Sequence, residues 1–168
     1  MTELAFIALG SNIEPETNLP LASIRLGELG KVIAESTVYQ NAAIADEPQP
    51  DYLNAAVLIE TALDPLTIRD KLREIEADLG RTRTEDKFAP RTIDLDLCIF
   101  GDRVLDHELL SLPDPDLFTR AHLATTLAEL QPDFPHPLTG ETLEEIALKV
   151  RKNTALIARL DIILSLNR

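Results

Sequence analysis

Asp94 and Asp96 stand at alternate positions of a run, residues 93–100, that is otherwise apolar apart from Cys98. Successive side chains of a strand alternate between faces, so the two carboxylates project together, about 7 Å apart at their Cα atoms. Ile93, Leu95, Leu97 and Ile99 then line the opposite face. Such a strand must sit with one face in a core and the other in a charged site. Two like charges held this close repel, and a shared divalent cation is the simplest compensation. Hard carboxylate oxygens suit Mg2+, which takes one or two protein carboxylates and completes its shell with water and phosphate oxygens. A bare Asp-x-Asp is ordinarily a solvent-facing pair. Here, however, the cations Arg81, Arg83, Lys87 and Arg91 lie just upstream in an acidic chain, and a polyphosphate would be attracted to them.

The 168 residues, 45% of them hydrophobic and without a low-complexity tract, suffice for one ordinary core, so a single domain over 1–168 is expected. A net charge of −13 argues against nonspecific binding to nucleic acid or to an anionic membrane. Met1-Thr2-Glu3-Leu4 enters an apolar run without a basic leader, and no apolar stretch reaches membrane-spanning length. Cys98, the sole cysteine, permits no internal disulfide and is expected to be a small buried thiol. These features predict a cytoplasmic protein, as a monomer or a small homo-oligomer.

Residues 4–9 read as a strand that ends in the turn Gly10-Ser11-Asn12. The stripe Leu19, Ala22, Ile24, Leu26 and Leu29 predicts a helix closed by Gly30, with Pro20 near its first turn. Strands are predicted over 31–39 and 52–61, joined by a long polar loop, 40–51, of the kind that carries function. Asp64-Pro65 opens a helix whose apolar residues Ile68, Leu72, Ile75 and Leu79 share one face before Gly80 stops it. With the acidic strand, the order is strand, helix, strand, strand, helix, strand. That order suits an α+β, ferredoxin-like sandwich with helices on one face of a mainly antiparallel sheet. A short run follows at 103–105, and extra C-terminal helices are predicted over 120–130, 142–151 and 155–166.

Several segments together carry a resemblance to a known family. Ala8-Leu9-Gly10-Ser11-Asn12, Asp51-Tyr52-Leu53-Asn54-Ala55-Ala56, Ile75-Glu76 with Gly80-Arg81-Thr82-Arg83, and Pro90-Arg91-Thr92-Ile93-Asp94-Leu95-Asp96 occur in matching order and spacing. In these the chain resembles the 6-hydroxymethyl-7,8-dihydropterin pyrophosphokinases, folate-pathway enzymes that transfer diphosphate from ATP to a pterin hydroxymethyl group and release AMP. The resemblance implies that Asp94 and Asp96 hold two Mg2+ ions and that Arg81 and Arg91 are catalytic. It implies ATP contacts from Glu76, Arg83, Lys87, Phe88, Leu97, Ser111 and Arg120. It further implies a pterin site formed by Asn41, Ile44, Tyr52, Asn54 and His122, in which an aromatic face stacks on the ring and an amide pairs with its polar edge.

Three positions depart from the family pattern. Asn41-Ala42-Ala43 replaces a Thr-Pro segment, Asp114 in Pro113-Asp114-Pro115 replaces a histidine, and His122 replaces a phenylalanine. Asp114 brings an anion toward the phosphates, and His122 offers a smaller ring that can be protonated. Two alternatives therefore stand beside the pterin kinase: a diphosphokinase acting on a related heterocycle, and a noncatalytic nucleotide-binding module.

Overall fold

The computed structural model describes residues 1–43, 45, 47–86, 88–152 and 154–164. Ile44, Lys87 and the end of the stretch predicted to be helical, 165–166, lie outside the described residues. Strands β1 (Glu3–Ser11), β2 (Lys31–Glu35), β3 (Tyr39–Asn41), β4 (Tyr52–Thr61) and β5 (Asp94–Phe100) alternate with helices α1 (Pro15–Leu26) and α2 (Pro65–Asp78). A hairpin of β6 (Leu105–His107) and β7 (Leu110–Leu112) follows, then α3 (Ala121–Leu130), α4 (Leu143–Val150) and β8 (Ile157–Ala158). The main sheet runs β5-β1-β4-β3-β8 with β2 also paired to β4, and its pairings are antiparallel. This is the ferredoxin-like strand order that the element sequence predicts.

The helices do not all share one face. Leu19, Ala22 and Leu26 of α1 and Ile68, Leu72 and Ile75 of α2 pack on Ile7, Leu9, Val57, Leu95 and Leu97. Leu123 and Leu127 of α3 and Ile146 of α4 pack on Phe6, Ala56, Leu58 and Ile99 across the sheet. The second helical layer is why β4 is buried on both faces from Leu53 to Ile59. It also leaves the α3 side of the sheet only partly covered, and the charged site opens there.

Local sequence accounts for the boundaries. Asp64 caps α2 by accepting a hydrogen bond from Thr67 N at 3.0 Å, an interaction worth about 1 kcal/mol, and Gly80 takes φ +89° just beyond the helix. Thr142 and Glu145 form a capping box on α4. α1 starts earlier than its apolar stripe suggests, at Pro15, which places Pro20 inside the helix and not in its first turn. β1 continues two residues past Leu9, and the strand predicted over 31–39 is split into β2 and β3.

The parity of β5 also changes along its length. Ile7 pairs with Leu97 but Phe6 pairs with Ile99, so Cys98 is an extra residue in a β-bulge. The bulge turns Ile99 into the α3-side core, away from Leu95 and Leu97. Cys98 is 1% exposed, the buried thiol expected.

The described part of 155–166 is not a helix. Its apolar stripe is unused as such: Ile157, Leu160 and Ile163 are exposed, while Leu164 alone reaches full burial. The open edge of β3 takes this segment instead, with Tyr39 opposite Ala158 and Gln40 opposite Ile157. Arg159 fastens it, donating from its backbone N to Val38 O at 2.8 Å and from Nη1 to Gln40 Oε1 at 3.1 Å. A free sheet edge beside β-branched residues outcompetes an isolated helical turn.

Candidate active site

Antiparallel pairing brings the end of β1 and the starts of β4 and β5 to the same rim of the sheet, with Gly10 between Asn54 and Asp94. A Cβ on Gly10 would meet Asn54 Oδ1 at 3.1 Å, so glycine lets that amide sit flat over the strand. α3 and the loops on that rim complete a cleft of about 410 Å³. Its lining includes Asn41, Tyr52, Asn54, Phe88, Arg91, Asp94, Asp96, Arg120 and His122. Asp114, Asp116, Cys98 and Thr126 complete the α3 side.

The acidic half is heavily paired. Asp94 accepts from Arg81 Nη1 on Oδ1 and from Arg91 Nη1 on Oδ2, each at 2.9 Å. Asp96 Oδ1 lies 3.3 Å from Arg73 Nη2. Burial, and then the charge of Asp94, push the Asp96 carboxyl up to about 6, although Arg73 pulls the other way. Asp96, with one arginine against two for Asp94, is the less fully paired of the two carboxylates. A hard cation fits that donor set, since each carboxylate oxygen keeps a second lone pair and half of the Asp96 side chain is open to the cleft. Among the described residues no group of three or more His, Cys, Asp or Glu could hold a metal ion by itself.

Glu76 is 2% exposed and lies outside the cleft lining. Its Oε2 accepts from Arg73 Nη1 and Arg81 Nη1 at 2.7 Å and from Leu95 N at 2.8 Å, while Oε1 accepts from Arg83 Nη2 at 2.8 Å. It gathers three arginines under the acidic strand. Arg81 is itself largely buried, reaching the site through Asp94. Leu97 has its side chain in the α1 and α2 core, and Ser111 lies exposed on β7; neither lines the cleft.

The other half is aromatic and amide-lined. Asn54 Nδ2 donates a short hydrogen bond to Asn41 Oδ1, and Tyr52 and His122 border the same space. Burial, reinforced by the Arg120 charge, lowers His122 to about 4, so its ring is neutral at pH 7. Asp114 is turned partly to structure, as its Oδ1 caps the short 3-10 turn Pro115–Phe118 by accepting from Asp116 N at 2.9 Å.

A carboxylate pair with its arginines facing an aromatic, amide-lined wall agrees with comparison against known proteins. Residues 6–132 match the family described as 7,8-dihydro-6-hydroxymethylpterin-pyrophosphokinase. The chain belongs to this family. A Synechocystis relative named 2-amino-4-hydroxy-6-hydroxymethyldihydropteridine pyrophosphokinase is 37% identical over 149 residues, covering 87% of this chain and 75% of the relative. A Bacillus subtilis protein of the same name is 34% identical over 155 residues, covering 90% and 92%. In structure, the wild-type Plasmodium falciparum HPPK-DHPS with pteroate matches with a TM-score of 0.68 at 15% identity, over 95% of this chain and 47% of that one. That likeness supports the fold, and this chain spans about half the length of the Plasmodium chain.

Two residues outside the predicted site hold this pyrophosphokinase cleft together. Arg73, one helical turn before Glu76, reaches Asp96, and only its i,i+3 spacing to Glu76 hints at it in sequence. Asn12 is 2% exposed; its Oδ1 accepts from Arg91 N at 2.8 Å, and its Nδ2 donates to Gln49 Oε1 at 2.9 Å and Pro50 O at 3.2 Å. Gln49 Nε2 in turn donates to Phe88 O at 2.6 Å, so one buried amide joins both loops that border the cleft.

Proposed function

We propose that this chain transfers the terminal diphosphate of ATP to the hydroxymethyl group of 6-hydroxymethyl-7,8-dihydropterin, in the cytosol, as a step of folate biosynthesis. The observation that carries the reading is the opposition, within one cleft, of Asp94, Asp96 and Arg91 to the wall of Tyr52, Asn54 and His122. In the transfer the acceptor oxygen bonds to the β-phosphorus as the bond from that phosphorus to the α,β-bridging oxygen breaks. AMP leaves with that oxygen, and the hydroxyl proton passes to solvent or phosphate.

Such a reaction needs alignment and charge neutralisation more than covalent catalysis. Asp94 and Asp96 would hold Mg2+, two ions by the family resemblance, which supplies charge neutralisation for the triphosphate. Arg91, which lines the cleft, is proposed to exchange part of its pairing with Asp94 for phosphate oxygens, while buried Arg81 acts through its hold on Asp94. Arg83 and Arg120, each with more than half its side chain open, supply further cations, and Phe88 offers an apolar face to the nucleotide side. Tyr52 and the neutral ring of His122 would sandwich the pterin, and Asn54, now held by Asn41, would pair with its edge.

Protein incubated with Mg2+, ATP and the pterin is expected to form AMP and the pterin diphosphate in equal amounts. Release of ADP would mean transfer of a single phosphoryl group and would overturn the assignment. His122→Phe enlarges one wall of the proposed sandwich and is expected to lower the KM for the pterin about threefold, an effect on the order of 0.7 kcal/mol. An unchanged or higher KM would remove His122 from the acceptor site.

A further inference from the structure

We infer that Arg73 is a positioning residue for Asp96, an outer-shell group that holds one carboxylate oxygen and so leaves the other aimed at a metal–nucleotide complex. The inference rests on the reading of Asp96 as a metal ligand.

β5 is an end strand of the main sheet, so one row of its peptide groups faces away from β1. Side chains from α2 and the loop after it cover that row. Arg81 Nη1 lies 3.3 Å from Ile93 O, Leu95 N donates to Glu76 at 2.8 Å, and Arg73 Nη1 donates to Leu95 O at 3.0 Å. Arg73 is thus anchored by the strand edge and by buried Glu76 before it reaches Asp96. Its side chain is only 27% exposed, unlike an ordinary surface cation.

The guanidinium fork explains the choice of residue. Nη1 serves Glu76 and Leu95 O while Nη2 points around the edge to Asp96 Oδ1. Arg73 is the cation that touches Asp96 among the described residues, whereas Asp94 has Arg81 and Arg91. Without it the Asp96 carboxylate is free to turn. Hydrogen-bond partners of metal-ligating groups typically contribute 10- to 100-fold in metal affinity through orientation.

Mn2+ binding in the presence of α,β-methylene-ATP, whose α,β bridge resists this transfer, reads the effect directly by electron paramagnetic resonance. Both Arg73→Gln and Arg73→Lys are expected to weaken Mn2+ about 10-fold or more, with the KM for the acceptor unchanged. Lysine keeps the charge but cannot serve three acceptors in a plane. Parental affinity in Arg73→Gln, tighter Mn2+ binding, or full rescue by lysine would each overturn the inference, since the last two would mark a field effect. Circular dichroism verifies folding, and the lysine variant, which keeps Glu76 paired, decides the matter if the glutamine variant does not fold. Asp96→Asn separates the layers. If it binds Mn2+ normally, the metal reading itself falls; if it loses Mn2+ while both Arg73 variants keep it, only the inference about Arg73 falls.

Discussion

Asp96→Asn is expected to reduce AMP formation at least about 1000-fold while raising the melting temperature of the metal-free protein by about 2–4 °C. The two effects share one cause. Burial and the neighbouring Asp94 charge hold the Asp96 carboxyl at about 6 in the folded chain, against an ordinary value near 3.9 when unfolded. A carboxyl raised on folding opposes folding when ionised. That penalty is fully present above pH 6 and disappears below pH 4, the reverse of a salt-bridged acid. Because about half of the side chain faces water, screening reduces it to about 1 kcal/mol, which in a chain of this size is a few degrees. On the proposed reading of Asp96 as a metal ligand, losing its charge would remove several kcal/mol of charge stabilisation from the transfer, hence the expected loss of turnover. Thermal melts in chelator at pH 7.5 and 4.5 give the check: the variant should melt higher at the first pH, and its margin over the parent should shrink at the second. Equal melting at pH 7.5 would mean that the empty site carries no electrostatic strain.

The sheet was legible because local signals agreed with one another. Asp64-Pro65 and Gly80 bracket α2, and the alternation of 93–97 sends Asp94 and Asp96 to one face and Leu95 and Leu97 to the other. The bulge at Cys98 was hidden, since an inserted residue leaves no mark in a run where both parities are apolar. The fully buried stretch of β4 shows the opposite ambiguity. Ala55 to Ile59 can be buried on both faces only if a second layer covers the sheet, but the apolar run does not say which helices form it. At 155–164, helical periodicity lost to an open strand edge in a distant part of the chain, a competitor that no local pattern contains. The site divides in the same way. Residues adjacent in sequence to the acidic strand, Arg81 and Arg91, could be associated with it by proximity. Arg73 and Asn12 act across the fold, through contacts that only the packing of α2 and the end of β1 creates.

Glu76→Ala is expected to destabilise the protein by about 3–5 kcal/mol and to lower its melting temperature by on the order of 10 °C. The carboxylate is 2% exposed and accepts four hydrogen bonds, from Arg73, Arg81, Arg83 and Leu95 N. Removing it orphans the amide of an edge strand and leaves the buried Arg81 guanidinium leaning on Asp94 alone within its carboxylate pairs. Arg83, more than half exposed, can rehydrate and adds little to the loss. Glu76→Gln keeps the shape and one carbonyl acceptor, yet it cannot neutralise three guanidinium groups, so an intermediate loss is expected. Differential scanning calorimetry orders the three proteins, and a drop of less than about 2 °C for alanine would show that the arginines find other partners. Turnover measured well below each melting point should still fall, because Arg73 and Arg81 reach Asp96 and Asp94 from positions that Glu76 fixes. A carboxylate outside the cleft lining would then govern the aim of the two inside it, so the acidic half of this cleft extends one layer deeper than its surface.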